Sequence, residues 1–348
     1  MLVYWAIFAF FAIGAAMDAG REPDLRRQRP AWLVGGLLII LMVGLRYQVG
    51  ADWEQYEFIF SFAGHMDFWR VVGIGDPGYQ ALNWLVQLLG GEIYWVNLIC
   101  AALFTWGLYR LARVQPNPWL AVLVAIPYMV LVVSMYTRQA AALGILMAGL
   151  ACLVRGGSLA RFVLYVAFAA LFHRTAVAIL PLVVFSRPRQ RLINIVGGLA
   201  AVYALFDVFI ADSMEAFVSN YIDRQYSSQG ALIRIAMGLL AASIFLQFRR
   251  RFGFPDAEDR MWYYFAMASF AAVLALALSP SSTAVDRLSL YLMPLQVVVL
   301  SRVPFVFATR HLAVSLVMAY CFAIQFVWLN FAAHAEYWLP YQFYPLFS

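Results

Sequence analysis

The apolar run 31–45 leads directly into the polar and aromatic stretch Arg46-Tyr47-Gln48-Val49-Gly50-Ala51-Asp52-Trp53-Glu54-Gln55-Tyr56-Glu57. One arginine and three carboxylates lie close together there, in a chain of 348 residues that is 64% hydrophobic and 12% charged. Such an abrupt change from apolar to charged sequence is typical of a membrane span that emerges at the bilayer surface. We interpret the stretch as one wall of a polar site beside the membrane.

The composition of the whole chain indicates a membrane protein. Its mean hydropathy of +0.78 is too high for the surface of a water-soluble protein. The net charge is +6, but the basic residues form no stripe with interleaved aromatic residues, which argues against nucleic-acid binding. The cysteines lie inside apolar runs without metal-ligand spacing, so we expect no metal site and three buried small side chains, Cys100, Cys152 and Cys321.

Apolar runs alternate with short polar breaks along the whole chain. They predict an all-α polytopic membrane protein with about 12 transmembrane helices, which form a single transmembrane domain over residues 1–348. The runs cover 2–17, 31–45, 93–109, 118–136, 139–154, 159–172, 175–186, 192–210, 231–248, 261–279, 287–301 and 312–330. Several are shorter than the ~20 residues that a full span needs, so we expect some tilted or broken spans.

The distribution of arginine predicts the orientation of these spans. All 24 basic residues are arginine, and most fall in breaks on one face, which the positive-inside rule assigns to the cytoplasm. Because the first arginine cluster follows run 2–17, both termini are predicted to lie outside. Residues 46–90 then form an external interfacial segment with short helices, and residues 330–348 form an external aromatic C-terminal segment.

Seven arginines fall on the outer face and need another explanation. Four of them lie at the outer ends of different apolar runs, namely Arg46, Arg138, Arg174 and Arg287. Planar, permanently charged guanidinium groups match phosphate oxygens in pairs, so a converging set would suit a phosphate or pyrophosphate ligand. Structural ion pairs between helices are the alternative. For the other three we expect interfacial or snorkelling positions, and these are Arg70, Arg224 and Arg234.

Candidate proton acceptors accompany these arginines. Asp52 lies in the opening stretch and His173 directly precedes Arg174. A carboxylate or an imidazole in such a site can take the proton of an attacking hydroxyl group. A histidine at the end of a span also makes ordinary hydrogen bonds, so a structural role for His173 stays open. We interpret Glu54 and Glu57 as interfacial carboxylates.

Short motifs along the chain resemble those of the EpsG family, in the same order. They are Arg46-Tyr47-x-x-Gly50-x-Asp52-Trp53-x-x-Tyr56, Asp76-Pro77-Gly78-Tyr79, Arg138-Gln139, Phe172-His173-Arg174-Thr175, Asp286-Arg287-Leu288-x-x-Tyr291 and Trp338-x-Pro340-Tyr341. Each motif is short, and the ordered set is more specific than any of its members. The family consists of bacterial multi-span proteins from exopolysaccharide and capsule gene clusters, regarded as Wzy-like polysaccharide polymerases. Where the family usually has Gly-Thr-Asp, this chain has Gly50-Ala51-Asp52.

The resemblance implies a glycosyltransferase at the outer face of the bacterial inner membrane. Such an enzyme transfers a glycan from its polyprenyl pyrophosphate carrier to the next lipid-linked repeat unit, without a metal or another cofactor. Its implied partners are the lipid-linked oligosaccharide, the bilayer and a protein that regulates chain length.

The same resemblance implies roles for the residues at the outer face. Asp52 or His173 would accept the proton, and Arg138, Arg174 and Arg287 would bind pyrophosphate. Arg46 would either bind pyrophosphate or orient Asp52. The glycan would contact other members of the motifs, for which we expect Trp53, Tyr56, Asp286, Tyr291, Trp338 and Tyr341.

Three other functions fit parts of the pattern. A glycan ligase would use the same donor and would have a similar sequence. A flippase for lipid-linked oligosaccharide should carry polar groups through the middle of the membrane, whereas the unexplained charges lie at the outer ends of the runs. A membrane-bound acyltransferase with His173 as its base would need a paired acidic motif, which the sequence lacks.

Overall fold

The computed structural model describes residues 1–19, 29–186, 230–279 and 282–347, with four single positions between 187 and 229. Across these residues the regular structure is helical, which confirms the predicted all-α class. In chain order the α-helices are α1 Leu2–Met17, α2 Arg29–Gly44, α3 Trp53–Ala63, α4 Phe68–Val72, α5 Pro77–Leu88, α6 Ile93–Ala112, α7 Pro118–Ala125, α8 Thr137–Val154, α9 Leu159–Phe172, α10 Leu180–Val184, α11 Ala231–Phe248, α12 Asp256–Leu278, α13 Ser282–Ser289, α14 Pro294–Val306 and α15 Arg310–Phe331.

Among the described residues, five helices are long and apolar enough to cross a membrane, namely α6, α8, α11, α12 and α15. The pair α13 and α14, with the 3-10 turn that follows α13, bends by 47° and counts as a sixth span if it is taken as one. The chain is therefore a membrane protein. The predicted number of about 12 spans is not confirmed, because α1, α2 and α9 have only 14 to 16 residues. A helix of 16 residues rises about 24 Å, less than the ~30 Å of a hydrocarbon core. The run 192–210 falls almost entirely outside the described residues.

The run 118–136 was predicted as one span but is broken in the middle. Helix α7 ends at Ala125, and a single π-helical turn over Ile126–Val130 is followed by a 3-10 turn over Val133–Met135. Pro127 has no N–H to continue the helical hydrogen bonds, and the Leu131 N–H bonds back five residues to the Ile126 carbonyl at 3.1 Å. The break lies in the buried core of the molecule and leads into α8.

Helix α8 lies at the centre of the bundle, packed closely against α6. The two backbones approach at Gly107 and Gly144, where a Cβ atom on Gly107 would overlap the Gly144 carbonyl oxygen. Small residues allow this contact between membrane helices, and it holds the first turn of α8 at one end of the bundle. The first turn contains Arg138 and Gln139, two of the residues in the family motifs.

The segments 46–90 and 330–348 meet at this same end. The first forms the short helices α3, α4 and α5, as predicted, and their position at the bilayer surface stays a prediction. The second returns along the end of α2, where the Tyr47 N–H donates to the Gln342 carbonyl at 3.0 Å and the Tyr344 N–H to the Leu45 carbonyl at 2.8 Å. These bonds bring the stretch quoted at the outset against the C-terminal segment.

A separate polar group lies at the opposite end of the bundle. Arg302 of α14 donates from Nε to Gln115 Oε1 at 2.8 Å, and Arg249 pairs with Asp259. The Nε atom of Arg260 donates to the Ser186 carbonyl at 3.0 Å. The described charged side chains thus form groups at two ends of the bundle.

Candidate functional site

A cavity of about 640 Å³ opens at the end of the bundle where the segments 46–90 and 330–348 meet. One wall is charged and contains Asp52, Arg234, Asp286 and Arg287. The opposite wall is apolar and comes mainly from the C-terminal half of α15, with Ile324, Val327, Trp328 and Phe331. This combination suits a ligand with a charged group at one end and a hydrocarbon chain at the other.

Arg287 and Asp52 face each other in the charged wall. Arg287 Nη2 lies 3.4 Å from Asp52 Oδ2, and both side chains are about a quarter exposed, at 24% and 25%. The Arg287 guanidinium carbon lies 3.7 Å from the centre of the Tyr136 ring, and Gln139 Nε2 donates to the Arg287 carbonyl at 2.6 Å. Stacking and hydrogen bonding therefore fix a solvent-accessible arginine beside a carboxylate.

Arg234 and Asp286 form a second ion pair that is almost fully buried, with side-chain exposures of 5% and 4%. The Arg234 guanidinium carbon also lies 5.4 Å from the centre of the Tyr128 ring. The interfacial or snorkelling role predicted for Arg234 is therefore wrong. Asp286, which we expected at the glycan, contacts the cavity as the partner of a buried arginine.

Asp76 gathers a second polar cluster around its carboxylate. It precedes α5, and its Oδ2 atom lies 2.9 Å from Arg138 Nη1 and 3.5 Å from His173 Nδ1. Its Oδ1 atom accepts the Arg174 backbone N–H at 3.0 Å, while the Arg174 side chain donates to the Gly75 carbonyl. Asp76 thus joins three of the predicted site residues, although it was not itself predicted as one. Its place before Pro-Gly in a family motif was the available signal.

Charge governs the ionisation of Asp76 despite its burial. Burial raises the pKa of its carboxyl group, but His173, Arg138 and the Arg174 backbone N–H together outweigh burial and hold the pKa below the ordinary 3.8. The carboxylate therefore stays charged at neutral pH and anchors the Arg138 side chain.

Tyr56 lies between the Asp76 cluster and the charged wall of the cavity. The charges near its hydroxyl group are Arg138, Asp52 and Arg287, and the Arg138 guanidinium carbon lies 5.8 Å from the centre of the Tyr56 ring. Burial raises the pKa of this hydroxyl, which keeps the group protonated. Tyr56 thus lies between Arg138 on one side and Asp52 and Arg287 on the other. Because it is only 3% exposed, its ring is not available to stack against a sugar.

Arg46 lies beneath the site with only 1% exposure. Its Nε donates to the Val49 carbonyl at 3.0 Å and its Nη1 to the Val43 carbonyl at 2.8 Å. Its Nη2 contacts the Met135 carbonyl at 3.3 Å and Thr137 Oγ1 at 2.8 Å. These bonds hold the corner after α2 against the start of α8. The geometry favours this structural role over the predicted binding of pyrophosphate, and the described partner of Asp52 is Arg287.

The aromatic residues that we expected at the glycan are mostly buried. The Tyr291 hydroxyl lies 3.1 Å from Thr175 Oγ1, and the Tyr341 hydroxyl donates to the Met42 carbonyl at 2.8 Å. Trp53 is buried against Tyr94. Trp338 lines the cavity, but its Nε1 donates to the Leu131 carbonyl at 2.8 Å. A more accessible ring is that of Tyr337, which also lines the cavity and is 47% exposed.

Among the described residues, no three His, Cys, Asp or Glu side chains are grouped closely enough to hold a metal ion.

The comparisons with known proteins identify a family for the chain. The model of the EpsG family matches residues 31–343, nearly the whole sequence. No match was found among curated proteins or among solved structures. The matched region contains the charged cavity, the Asp76 cluster and the contacts between α2 and the C-terminal segment. The chain therefore belongs to the EpsG family.

Proposed function

We propose that this protein is a Wzy-like polysaccharide polymerase. It transfers a glycan from polyprenyl pyrophosphate to the next lipid-linked repeat unit, at the outer face of the bacterial inner membrane. Membership of the EpsG family supports a polymerase in general. The single observation that best supports this reaction is the cavity. Its charged wall matches the pyrophosphate of a lipid-linked substrate, and its apolar wall matches the hydrocarbon chain.

Arg287 is the proposed contact for the pyrophosphate. Its guanidinium group is partly exposed, stacked on Tyr136 and directed toward the cavity, so the planar fork is held in position before the ligand arrives. In the transition state, negative charge develops on the leaving pyrophosphate, and a fixed cation stabilises it. Arg138 and Arg174 are held by Asp76 and do not line the cavity, so they are proposed to add positive charge near the site without contacting the pyrophosphate.

Asp52 is the proposed proton acceptor. The acceptor hydroxyl oxygen forms a bond to the anomeric carbon while the bond from that carbon to pyrophosphate breaks. The leaving pyrophosphate takes the electron pair, and the hydroxyl proton passes to the Asp52 carboxylate. Asp52 lines the cavity, whereas His173 has Nδ1 directed at Asp76 and does not line it. His173 is therefore proposed as part of the Asp76 cluster.

A reconstituted reaction tests this proposal. Purified protein in detergent is incubated with one synthetic polyprenyl-pyrophosphate-linked repeat unit, and the glycan products are separated by length. We expect a ladder of longer glycans from the wild type and a greatly weakened ladder from Arg287→Ala.

The matched control is Arg70→Ala, which removes an exposed arginine from the external segment. It should leave the ladder unchanged. Transfer of one unit to a different acceptor, without a ladder, would indicate a ligase. No product under any condition would contradict an enzymatic role and would favour a flippase, which needs two compartments.

A further inference from the structure

A second cavity of about 410 Å³ lies closer to the opposite end of the bundle, between α11, α14 and α15. Its wall is almost entirely apolar. Leu240 and Ile244 come from α11, Leu300 and Val303 from α14, and α15 contributes a row that includes Leu316. Leu316 is 62% exposed, so the cavity is open along the side of the bundle.

The two cavities share the same faces of α11 and α15. On α11, Ile233 lines the charged cavity, while Leu240 and Ile244 line the apolar one. Spacings of seven and four residues place these three side chains on one helical face. On α15 the lining begins at Leu312 in the apolar cavity and ends with Phe331 in the charged cavity. The two cavities therefore follow each other along the same faces of α11 and α15, and we refer to them together as the groove.

The length of this groove matches the membrane. From Leu312 to Phe331 the helix rises about 28 Å, close to the ~30 Å thickness of a hydrocarbon core. The charges of the described lining occur at one end, in Asp52, Arg234, Asp286 and Arg287, and none lies among the described residues that line the apolar cavity. A ligand that fills it must therefore have a charged head and a long hydrocarbon tail.

We propose that the groove between α11 and α15 binds the polyprenyl chain of the lipid-linked substrate. The pyrophosphate lies at the charged cavity, and the chain runs down past Ile233 and Val327 to Leu240 and Leu316. This assignment rests on the proposed function for the identity of the substrate. The groove adds a binding site for the polyprenyl chain, so the enzyme recognises this chain as well as the pyrophosphate.

Photoaffinity labelling tests where the chain lies. A polyprenyl pyrophosphate with a diazirine at its far end is irradiated with the purified full-length protein, and labelled peptides are identified by mass spectrometry. We expect adducts in 309–320 and 240–244, and their suppression by excess unlabelled polyprenyl pyrophosphate. A probe with the diazirine beside the pyrophosphate should instead label 323–334. Equal labelling of other membrane-facing positions, such as Leu164 of α9, or full displacement by ordinary phospholipid, would overturn the proposal.

A variant that fills the groove gives a second measurement. Leu316→Trp replaces the leucine side chain with a larger indole ring in the apolar cavity. Leu164→Trp is its control, because Leu164 is 69% exposed and Leu316 is 62% exposed. We expect Leu316→Trp to weaken the far-end labelling about tenfold, the effect of losing about two buried methylenes, while Leu164→Trp has no effect. Unchanged labelling in both variants would contradict the proposal. Groove labelling by a protein that makes no glycan ladder would keep this site and reject the polymerase function.

Discussion

Arg287 and Arg46 carry the same charge, but their surroundings give them different roles. The Arg46 guanidinium donates to backbone carbonyls and to Thr137 inside the protein, whereas Arg287 is about a quarter exposed and lies beside Asp52 in the charged wall of the cavity. Because Arg46 and Arg287 each lie at the end of an apolar run, both were predicted to bind pyrophosphate. Sequence does not show the difference, because the carbonyl of Met135 that contacts Arg46 comes from a distant segment.

Replacing Arg287 tests the role of a fixed cation. We expect Arg287→Ala to reduce kcat for glycan elongation by about 10²-fold to 10³-fold, the usual cost of removing one group that stabilises transition-state charge. Arg287→Lys should recover only part of this loss, since lysine keeps the charge but not the planar fork stacked on Tyr136. Elongation assays at saturating donor measure both variants. Normal turnover by Arg287→Ala would contradict the assignment.

Asp76 should stabilise the fold through Arg138 and the backbone of Arg174. We expect Asp76→Asn to cost about 2 kcal/mol of stability, because a partly buried arginine loses its charged partner. The folded-state pKa of Asp76 lies below 3.8, so this stabilisation is complete above that pH and is lost as the pH falls through the folded-state pKa.

Thermal unfolding in detergent at several pH values measures this contribution. The difference between wild type and Asp76→Asn should not shrink from about pH 8 to about pH 5. Asp67→Asn, an exposed carboxylate in the same segment, should change little throughout and is the control. A difference that disappears by about pH 5 would show that Asp76 does not have a lowered pKa.

At the scale of helices, sequence predicted the long uniform spans well and the broken ones poorly. The runs 139–154 and 231–248 correspond closely to α8 and α11, since a mainly apolar run of that length favours a membrane helix. The run 118–136 is equally apolar, and hydropathy did not indicate its break. Pro127 marks the position, but the π-helical turn depends on packing in the core.

The contact between α6 and α8 should tolerate no added atom. Gly107→Ala directs a Cβ at the Gly144 carbonyl, and backbone moves less readily than a side chain, so we expect at least about 1–3 kcal/mol of destabilisation. Gly238→Ala is the matched control in α11, where the nearest atoms to an added Cβ lie at 3.8 Å and 4.0 Å. It should be neutral or stabilising. Thermal unfolding in detergent compares the two, and equal stability would show that the helices separate easily.

For the molecule as a whole, sequence predicted which residues gather at one end but not how they pair. Arg138, His173 and Arg174 were predicted at one site from scattered motifs, and the structure brings them together at Asp76. The pairing of Arg234 with Asp286 joins α11 to α13. Such pairs depend on how helices far apart in sequence pack, and the order of apolar runs does not determine this.

The two charged ends of the bundle also predict how the protein lies in the membrane. The arginine distribution assigns the end with Arg249 and Arg302 to the cytoplasm and the end with Arg287 to the outside. Single introduced cysteines can report this orientation when the native Cys100, Cys152 and Cys321 have first been replaced. Ser61→Cys lies in the external segment, and Ala257→Cys lies in the first turn of α12 at the opposite end. Both positions are exposed.

We expect a membrane-impermeant maleimide to label Ser61→Cys in intact spheroplasts and Ala257→Cys only after lysis. Detergent-solubilised samples of both variants should label fully, which controls for local accessibility. The reverse pattern would place the cavity on the cytoplasmic side, where lipid-linked repeat units are not polymerised in the proposed scheme. The orientation therefore bears directly on the function, because the charged end of the groove must open where the glycan is extended.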